Sequence, residues 1–522
     1  MKCSKRKSLL TAAAVVLLCS LQDRLSAQTK LSIDKVYSAY LRSSGSISAH
    51  GQIKGYYFFY QSDKIDKHTN EYTLQILDEN LNKVKSIKFE DSKKVSLLES
   101  AYNGGSLSFL FKNEDTKTMD MRIYDMDGKL KYTYSRPYDK RSEELMKAYE
   151  TMHTDEAMNK NVFDMGETGY VSVLPMREGK QRTYEVDYYS SQDKKQWTYV
   201  PTDDEEKYSA AEYMGATDSL IILQVMKRNH LMSGKVTSHL VGINIVTRKK
   251  QFDLDYAGDD YTMILSGVLP IEGTDKLMLM GSFFDKSDNI AKDFSKGLAV
   301  YEMTTTGKVL SKSYNTWAGD FGRYLPTNSK GKISDVGYLY IHKLIRTPDH
   351  KLFVVGEGYK RKADGVGIAA SVLLGGDAGV TKIVVTDLVV MQFDEKYKVR
   401  GATIYDKTDN TAFGGQQADL NSQHLIATYL KYIGAFDYEF TTGDEDNSNF
   451  TICYSDYVRS SEYKGQTFNS IRYNGSKFTT DKIELKSKAT NMRVFPAKPG
   501  SIMILEYYKK DKRVDLRLEK LG

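Results

Sequence analysis

Short apolar strand-like runs recur along the whole length of this chain, and that recurrence constrains its fold more than any other feature. They are Tyr56–Gln61 (YYFFYQ), Ser106–Phe111 (SLSFLF), Tyr170–Leu174 (YVSVL), Ser219–Val225 (SLIILQV), Lys276–Met280 (KLMLM), Lys351–Val355 (KLFVV), Asn449–Tyr454 (NFTICY) and Ser501–Leu505 (SIMIL). Most follow a turn signal such as Asn103-Gly104-Gly105, Gly273-Thr274-Asp275 or Pro499-Gly500. Each of the first seven is followed by a strand, a polar Lys-rich turn and another strand, as in YTLQILDENLNKVKSIKF (Tyr72–Phe89) and MRIYDMDGKLKYTY (Met121–Tyr134). With a leading strand before each run, such as Leu97–Tyr102 or Asn491–Phe495, the repeating unit is four antiparallel strands.

Four-stranded units repeated around an axis make a β-propeller, whose closure leaves only short protected edges. The eighth unit stops after VDLRLEKLG (Val514–Gly522), one strand short, and Lys30–Tyr40 (KLSIDKVYSAY) is a spare strand-like segment at the other end. The sequence therefore predicts an all-β fold: a single propeller of eight blades, closed by that N-terminal segment, with seven blades as the competing count and a stack of β-sandwiches as the third reading. A length of 522 residues would ordinarily suggest about three domains, but repetition makes it one ring over 28–522. The 38 Tyr and 20 Phe against 8 Pro suit ordered strands rather than linkers.

Residues 1–27 read as a secretory signal: a basic start (Lys2, Lys5, Arg6, Lys7), an apolar stretch from Leu9 to Leu21, and a cleavage site after Leu25-Ser26-Ala27. The apolar stretch is too short to span a bilayer. Cys19 lacks the preceding small residue that a lipidated cysteine wants. Five cations and one acid leave with this segment, so the net charge falls from +6 to +2. No basic face remains to argue for nucleic acid. One cysteine, Cys453, is left in an apolar strand, so no internal disulfide is expected and Cys453 reads as a buried small hydrophobe. No other apolar run reaches spanning length; the mature chain is expected to be soluble and monomeric.

The long insertions fall between second and third strands or between units, while the other turns are short, which predicts one working face. Two insertions read as helical: Ser142–Glu150, with Ser142 as cap, and Asn421–Tyr432. Candidate chemistry is sparse. Gly365-Val366-Gly367-Ile368-Ala369-Ala370 matches GxGxxA, but no βαβ unit surrounds it, so no nucleotide cofactor is expected. Acidic turns at Asp125–Gly128, Asp285–Asn289 and Asp444–Asn447 lack the rest of a calcium loop. The eight histidines show no zinc spacing and no GxSxG is present, so neither metal nor catalytic residues are assigned. What remains is an aromatic and cationic loop set on the long-loop face: Trp317, Arg323, Tyr324, Tyr359 and Arg361 are the candidate ligand-binding residues. Trp317 with Phe321 reads equally as a pin holding its loop to the scaffold.

The signal ending in Ala27-Gln28, the repeated strand–turn–strand units and the LVVMQFDEKYKV hairpin resemble exported propeller-like proteins of Bacteroidota-type bacteria. The resemblance rests on pattern over most of the mature chain. It implies a Gram-negative envelope location, periplasm or outer-membrane periphery, and carries over no functional residue. The expected function is a binding or scaffold propeller engaging a protein or glycan through its long-loop face. The alternative is an envelope enzyme, a glycan- or peptide-acting hydrolase or lyase, with its site in the central funnel of the same face. A strongly coupled carboxylate pair or a His–carboxylate cluster in the central funnel would favour the enzyme, and a funnel lined by aromatics and ordinary polar groups the binding protein.

Overall fold

The computed structural model describes residues 30–49, 52–138, 160–201, 207–230, 236–255, 260–363, 381–414 and 422–521. The signal-like segment, the helix expected over Ser142–Glu150 and the GxGxxA run lie outside them. The protein is all-β: among the described residues the strands form seven sheets, six of four or five strands and one of eight. The eight-stranded sheet consists of two four-stranded meanders joined by a single parallel bridge, Arg182 to Tyr208. The strands therefore fall into eight four-stranded antiparallel groups. The eight apolar runs of the sequence form the second strand of each.

Contacts divide the chain into two units: Met1–Ser48, Ile53–Glu90 and Ser487–Leu521 form one, and Asp91–Lys486 the body of the other. In the first unit, Ser38–Ala39, Gln52–Lys64, Thr69–Asp78 and Lys83–Ser92 form the first group. Asn491–Pro496, Ser501–Tyr508 and Arg513–Lys520 form the eighth, whose fourth strand is Lys30–Asp34, paired from Lys30↔Arg517 to Asp34↔Arg513. The spare N-terminal segment thus supplies the missing strand. Buried Asp515 receives ion pairs from Lys30 at 3.1 Å and Arg513 at 3.2 Å.

The second unit holds groups two to seven, whose second strands are Ser106–Asn113, Gly169–Glu178, Leu220–Arg228, Lys276–Asp285, Leu352–Ala363 and Phe450–Arg459. Ser106–Asn113, Leu220–Arg228 and Lys276–Asp285 are buried almost end to end, and the last two are covered on both faces by neighbouring groups. Fourth strands such as Phe478–Glu484 alternate polar and half-buried residues, as edge strands do. Apolar clusters are shared between consecutive groups: Tyr134 with Tyr189, Val225 with Val186, Met303 with Leu240, Val354 with Met280, and Phe353 with Phe450. The Tyr and Phe excess is consumed there.

Two devices recur. First strands carry a β-bulge in groups two, four, five, six and seven, leaving Leu98, Met214, Ser266, His342 and Glu439 out of the ladder. A buried side-chain oxygen also fastens one group to the start of the next. Glu99 accepts from Asn161 N at 2.8 Å and Val162 N at 3.2 Å. Gln224 Oε1 accepts from Leu265 N at 2.5 Å. Glu357 accepts from Asp437 N and Tyr438 N, both at 3.1 Å.

Candidate active site

The third of these fastenings is also the centre of an ionisable cluster. Glu357 stands within the apolar second strand Leu352–Ala363 of the sixth group. His342 is the bulge residue of the adjoining first strand, Tyr338–Arg346, and a bulge re-aims its side chain. Gly337 delivers the chain into that strand at φ +101°, where a Cβ would meet Tyr359 O at 2.3 Å. Asp437 immediately precedes Tyr438–Gly443, the first strand of the seventh group. Lys407 follows Val399–Tyr405 and is held by its own N–H to Asp387 Oδ1 at 3.0 Å.

His342 Nε2 lies 3.0 Å from Glu357 Oε2, and Lys407 Nζ lies 3.2 Å from Glu357 Oε1 and 2.5 Å from Asp437 Oδ2. Asn410 Nδ2 donates to the other Asp437 oxygen at 2.9 Å. One ammonium thus bridges two carboxylates. The side chains of Glu357 and Lys407 have no solvent exposure, while His342 keeps 9% and Asp437 15%. Aromatic rings enclose the imidazole. It stacks on Tyr438 at 4.6 Å and meets the edges of Tyr340 and Phe436 at 4.9 Å, and these last two stack on each other. Beyond Tyr340, Lys431 of the helix Gln423–Tyr432 pairs with Glu212 of the fourth group.

The two carboxylates are driven apart electrostatically. Burial works against the charge of Glu357, but the His342 hydrogen bond, the Lys407 charge and the backbone donors outweigh it and hold its pKa below the usual range. Asp437 is pushed up to about 7, chiefly by burial, with Glu357 adding to the rise and Lys407 opposing it. Lys407 stays firmly protonated, since its two carboxylates outweigh its burial. The result is one fixed anion and one carboxyl that exchanges a proton near neutrality, the division of labour an acid–base site requires. Glu357 also orients the imidazole through Nε2, and Nδ1 has no partner among the described residues.

Other charged clusters differ. Asp253 is neutralised by His239 at 2.7 Å, Lys227 at 3.3 Å and Lys250 at 3.2 Å; although burial opposes its charge, these three partners hold its pKa well below normal, so it is a fixed anion. Asp187 is pushed up to about 6 by burial, opposed by Arg136. It is closed in by Thr198 at 2.5 Å and Arg136 at 3.2 Å. Asp437 and Asp187 both lie above the unfolded value of about 3.9. Their contribution to stability is therefore fully present below that value and lost as pH rises through about 6 and about 7. The melting temperature should fall between pH 5 and 8, and Asp437→Asn should flatten that fall; a slope unchanged in the variant would contradict the assignment.

The residues singled out in the sequence are dispersed. Trp317 is buried on Phe321 at 4.9 Å and donates to Ser295 Oγ at 3.0 Å, so it pins its loop. Tyr359 is buried and donates to Gln423 O at 3.0 Å. Arg323 and Tyr324 are exposed at the end of the turn Phe321–Arg323. Arg361 is exposed on the same strand as Glu357. Cys453 is buried, and burial raises its thiol pKa. The acidic turns are used locally: Asp125 Oδ1 accepts from Lys129 N at 2.8 Å and Asp444 Oδ2 from Asn449 Nδ2 at 2.6 Å. His342, Glu357, Lys407 and Asp437 carry no motif in sequence. The one available signal is a lone acid inside the apolar run LFVVGEGY (Leu352–Tyr359).

A family model described as "Family of unknown function (DUF6770)" matches residues 6–522. No curated protein matches the chain. Similar solved structures include one from a study of two prolyl endopeptidases, at 9% identity, with 91% of this chain and 54% of that one covered and a TM-score of 0.41. Another is prolyl oligopeptidase B from Galerina marginata, at 9% identity, with 96% and 57% covered and a TM-score of 0.40. A third is the β-propeller domain of the Trilobed protease from Pyrococcus furiosus, at 10% identity, with 72% and 96% covered and a TM-score of 0.32. The chain spans a little over half the length of the first two.

Proposed function

The chain belongs to this family of unknown function, matched over residues 6–522, and from its own chemistry we propose that it is an exported acid–base enzyme acting on a glycan, as a hydrolase or lyase. The observation that carries the reading is the pair of carboxylates sharing Lys407, one fixed as an anion and the other exchanging its proton near neutrality. Asp437, the more exposed member, is the proton donor. His342, oriented by Glu357, is the base. Glu357, wholly enclosed, is a positioning residue. The rings of Tyr340, Phe436 and Tyr438 wall the imidazole and hold it in place.

The scaffold for this reading is one eight-bladed propeller. It is supported by the eight four-stranded groups, the apolar clusters shared by consecutive groups and the N-terminal strand completing the eighth group. Export to the envelope is supported by the signal-like sequence of 1–27.

The test is to incubate the mature protein with a panel of polysaccharides and follow new reducing ends and unsaturated products. With a substrate in hand, Asp437→Asn and His342→Gln should each lower kcat by roughly 10²-fold or more. Activity should decline as pH rises through about 7, where Asp437 loses its proton, and that limb should vanish in Asp437→Asn. Variants that keep full activity would remove the cluster from the chemistry. A second reading, a binding propeller without turnover, is favoured by the exposed Arg323, Tyr324 and Arg361. It predicts retention of a glycan or protein ligand with no product formed.

A further inference from the structure

The acid–base cluster lies too deep for a substrate to touch it as it stands. Glu357 and Lys407 have no side-chain exposure, His342 keeps 9% and Asp437 15%. Some of what surrounds the cluster cannot move without breaking the sheets. The strands Tyr338–Arg346, Leu352–Ala363 and Tyr438–Gly443 are locked in ladders of backbone hydrogen bonds. The helix Gln423–Tyr432, with the ring of Phe436 that follows it, belongs to no ladder. Proteins open first where an element is held by few contacts and no shared backbone ladder.

Helix and ring move as one piece. Ala435 N donates to Leu430 O at 2.9 Å and Gly434 N to Lys431 O at 3.1 Å, with Gly434 at φ +65°. The last turn is thereby closed and carries the next residue with it. Phe436 stacks on Tyr340 at 4.8 Å and meets the His342 imidazole at 4.9 Å. Asp437, one residue on, is fixed by its N–H on Glu357 and by Lys407 and Asn410. A pivot falls between Phe436 and Asp437: a helix swinging about it lifts the ring from the imidazole and leaves the carboxyl in place.

Among the described residues, Ile426, Ala427 and Leu430 seat the helix in an apolar cluster with Tyr359 and Ile383, and Tyr429 meets the edge of Phe413 at 4.9 Å. Tyr359 donates to Gln423 O at 3.0 Å, and Lys431 pairs with Glu212 of the fourth group. The side chains of Lys431 and Glu212 are 37% and 50% exposed. An ion pair that open contributes little and is screened by salt, which suits a catch that has to release.

We infer that the helix Gln423–Tyr432 is a lid over the acid–base cluster, caught shut by the Lys431–Glu212 pair, and that substrate enters when it swings away with Phe436. This names the regulation of the site proposed above and rests on that reading.

The experiment follows the mature protein without substrate. Amide exchange over 423–436 and carbethoxylation of His342 by diethyl pyrocarbonate are each resolved by mass spectrometry at fixed pH. Glu212→Gln should raise both rates roughly two- to fivefold, the change in open population expected from losing a surface ion pair. Added salt should raise both in the parent protein. Exchange in Leu352–Ala363 should stay as it was. Glu212→Lys together with Lys431→Glu should restore the parental rates that either substitution alone loses. His342 reacting at the parental rate while the helix exchanges faster would overturn the inference, by showing that the helix does not cover the imidazole. Faster exchange in Leu352–Ala363 as well would also overturn it, since the pair would then support the whole sheet. A lid that opens in this way on a protein that turns over no glycan upholds this inference and ends the acid–base reading. Turnover abolished by Asp437→Asn, with both rates unchanged in Glu212→Gln, ends the lid alone.

Discussion

Glu357→Ala is expected to lose about 3–5 kcal/mol of stability, the usual cost of removing one partner from a buried ion pair. The carboxylate faces Lys407, His342 and two backbone N–H groups, all of which the substitution strands. Urea unfolding should show the midpoint drop with little change in slope. Glu357→Gln keeps an acceptor for one of the two backbone donors, which bond different oxygens, and should lose less. It also removes the like charge that helps raise Asp437, so the pH at which Asp437 titrates should move down. A Glu357→Ala protein as stable as the parent would mean that the cluster is not electrostatically coupled.

Phe353→Ala should cost a comparable amount, about 3–5 kcal/mol, for a different reason. Phe353 is fully buried four residues before Glu357 on the same strand, with ring centroids 5.3 Å from Phe450, 4.8 Å from Tyr473 and 5.7 Å from Phe478. Its removal opens a cavity between the sixth and seventh groups and touches no charge. Phe353→Leu should recover much of the loss. The two variants form a control pair: both lower the urea midpoint, but only the Glu357 substitutions should alter the pH dependence contributed by Asp437. A shifted pH dependence in Phe353→Ala would mean that packing, rather than the carboxylate, governs the proton affinity of Asp437.

The strand order was readable because a second strand packed between two neighbouring groups, as Leu220–Arg228 and Leu352–Ala363 are, must be a continuous apolar run, which stands out against polar turns. KLFVV and SLIILQV are found where that logic puts them. The segment KLSID was recognisable as a strand without a partner, and Lys30–Asp34 completes the eighth group as expected. The helix expected over Asn421–Tyr432 is found at Gln423–Tyr432, capped by Ser422. The acid–base cluster was not readable, since it assembles from a bulge, a strand centre, a connection and a strand start at positions 342, 357, 407 and 437. Spacing of that kind is set by the third dimension alone. Composition misled in one respect: rarity drew attention to Trp317, whereas the ring does a packing job.

Gln224 and Glu357 occupy matching places on second strands; Gln224 takes one backbone N–H of the following first strand, and Glu357 takes two at the start of its own neighbour, one on each oxygen. An amide and a carboxylate are close in shape, so either can serve as the mortise into which the next repeat is tenoned. A modular chain built this way can let one copy acquire charge without losing its joinery, because a carboxylate accepts the N–H that an amide oxygen accepts and has a second oxygen for another. Innovation then asks for very little: an acid in one joint, a lysine brought in by a lengthened connection and an imidazole swung out by a bulge the other copies already tolerate. The remaining joints keep the frame standing while that one specialises.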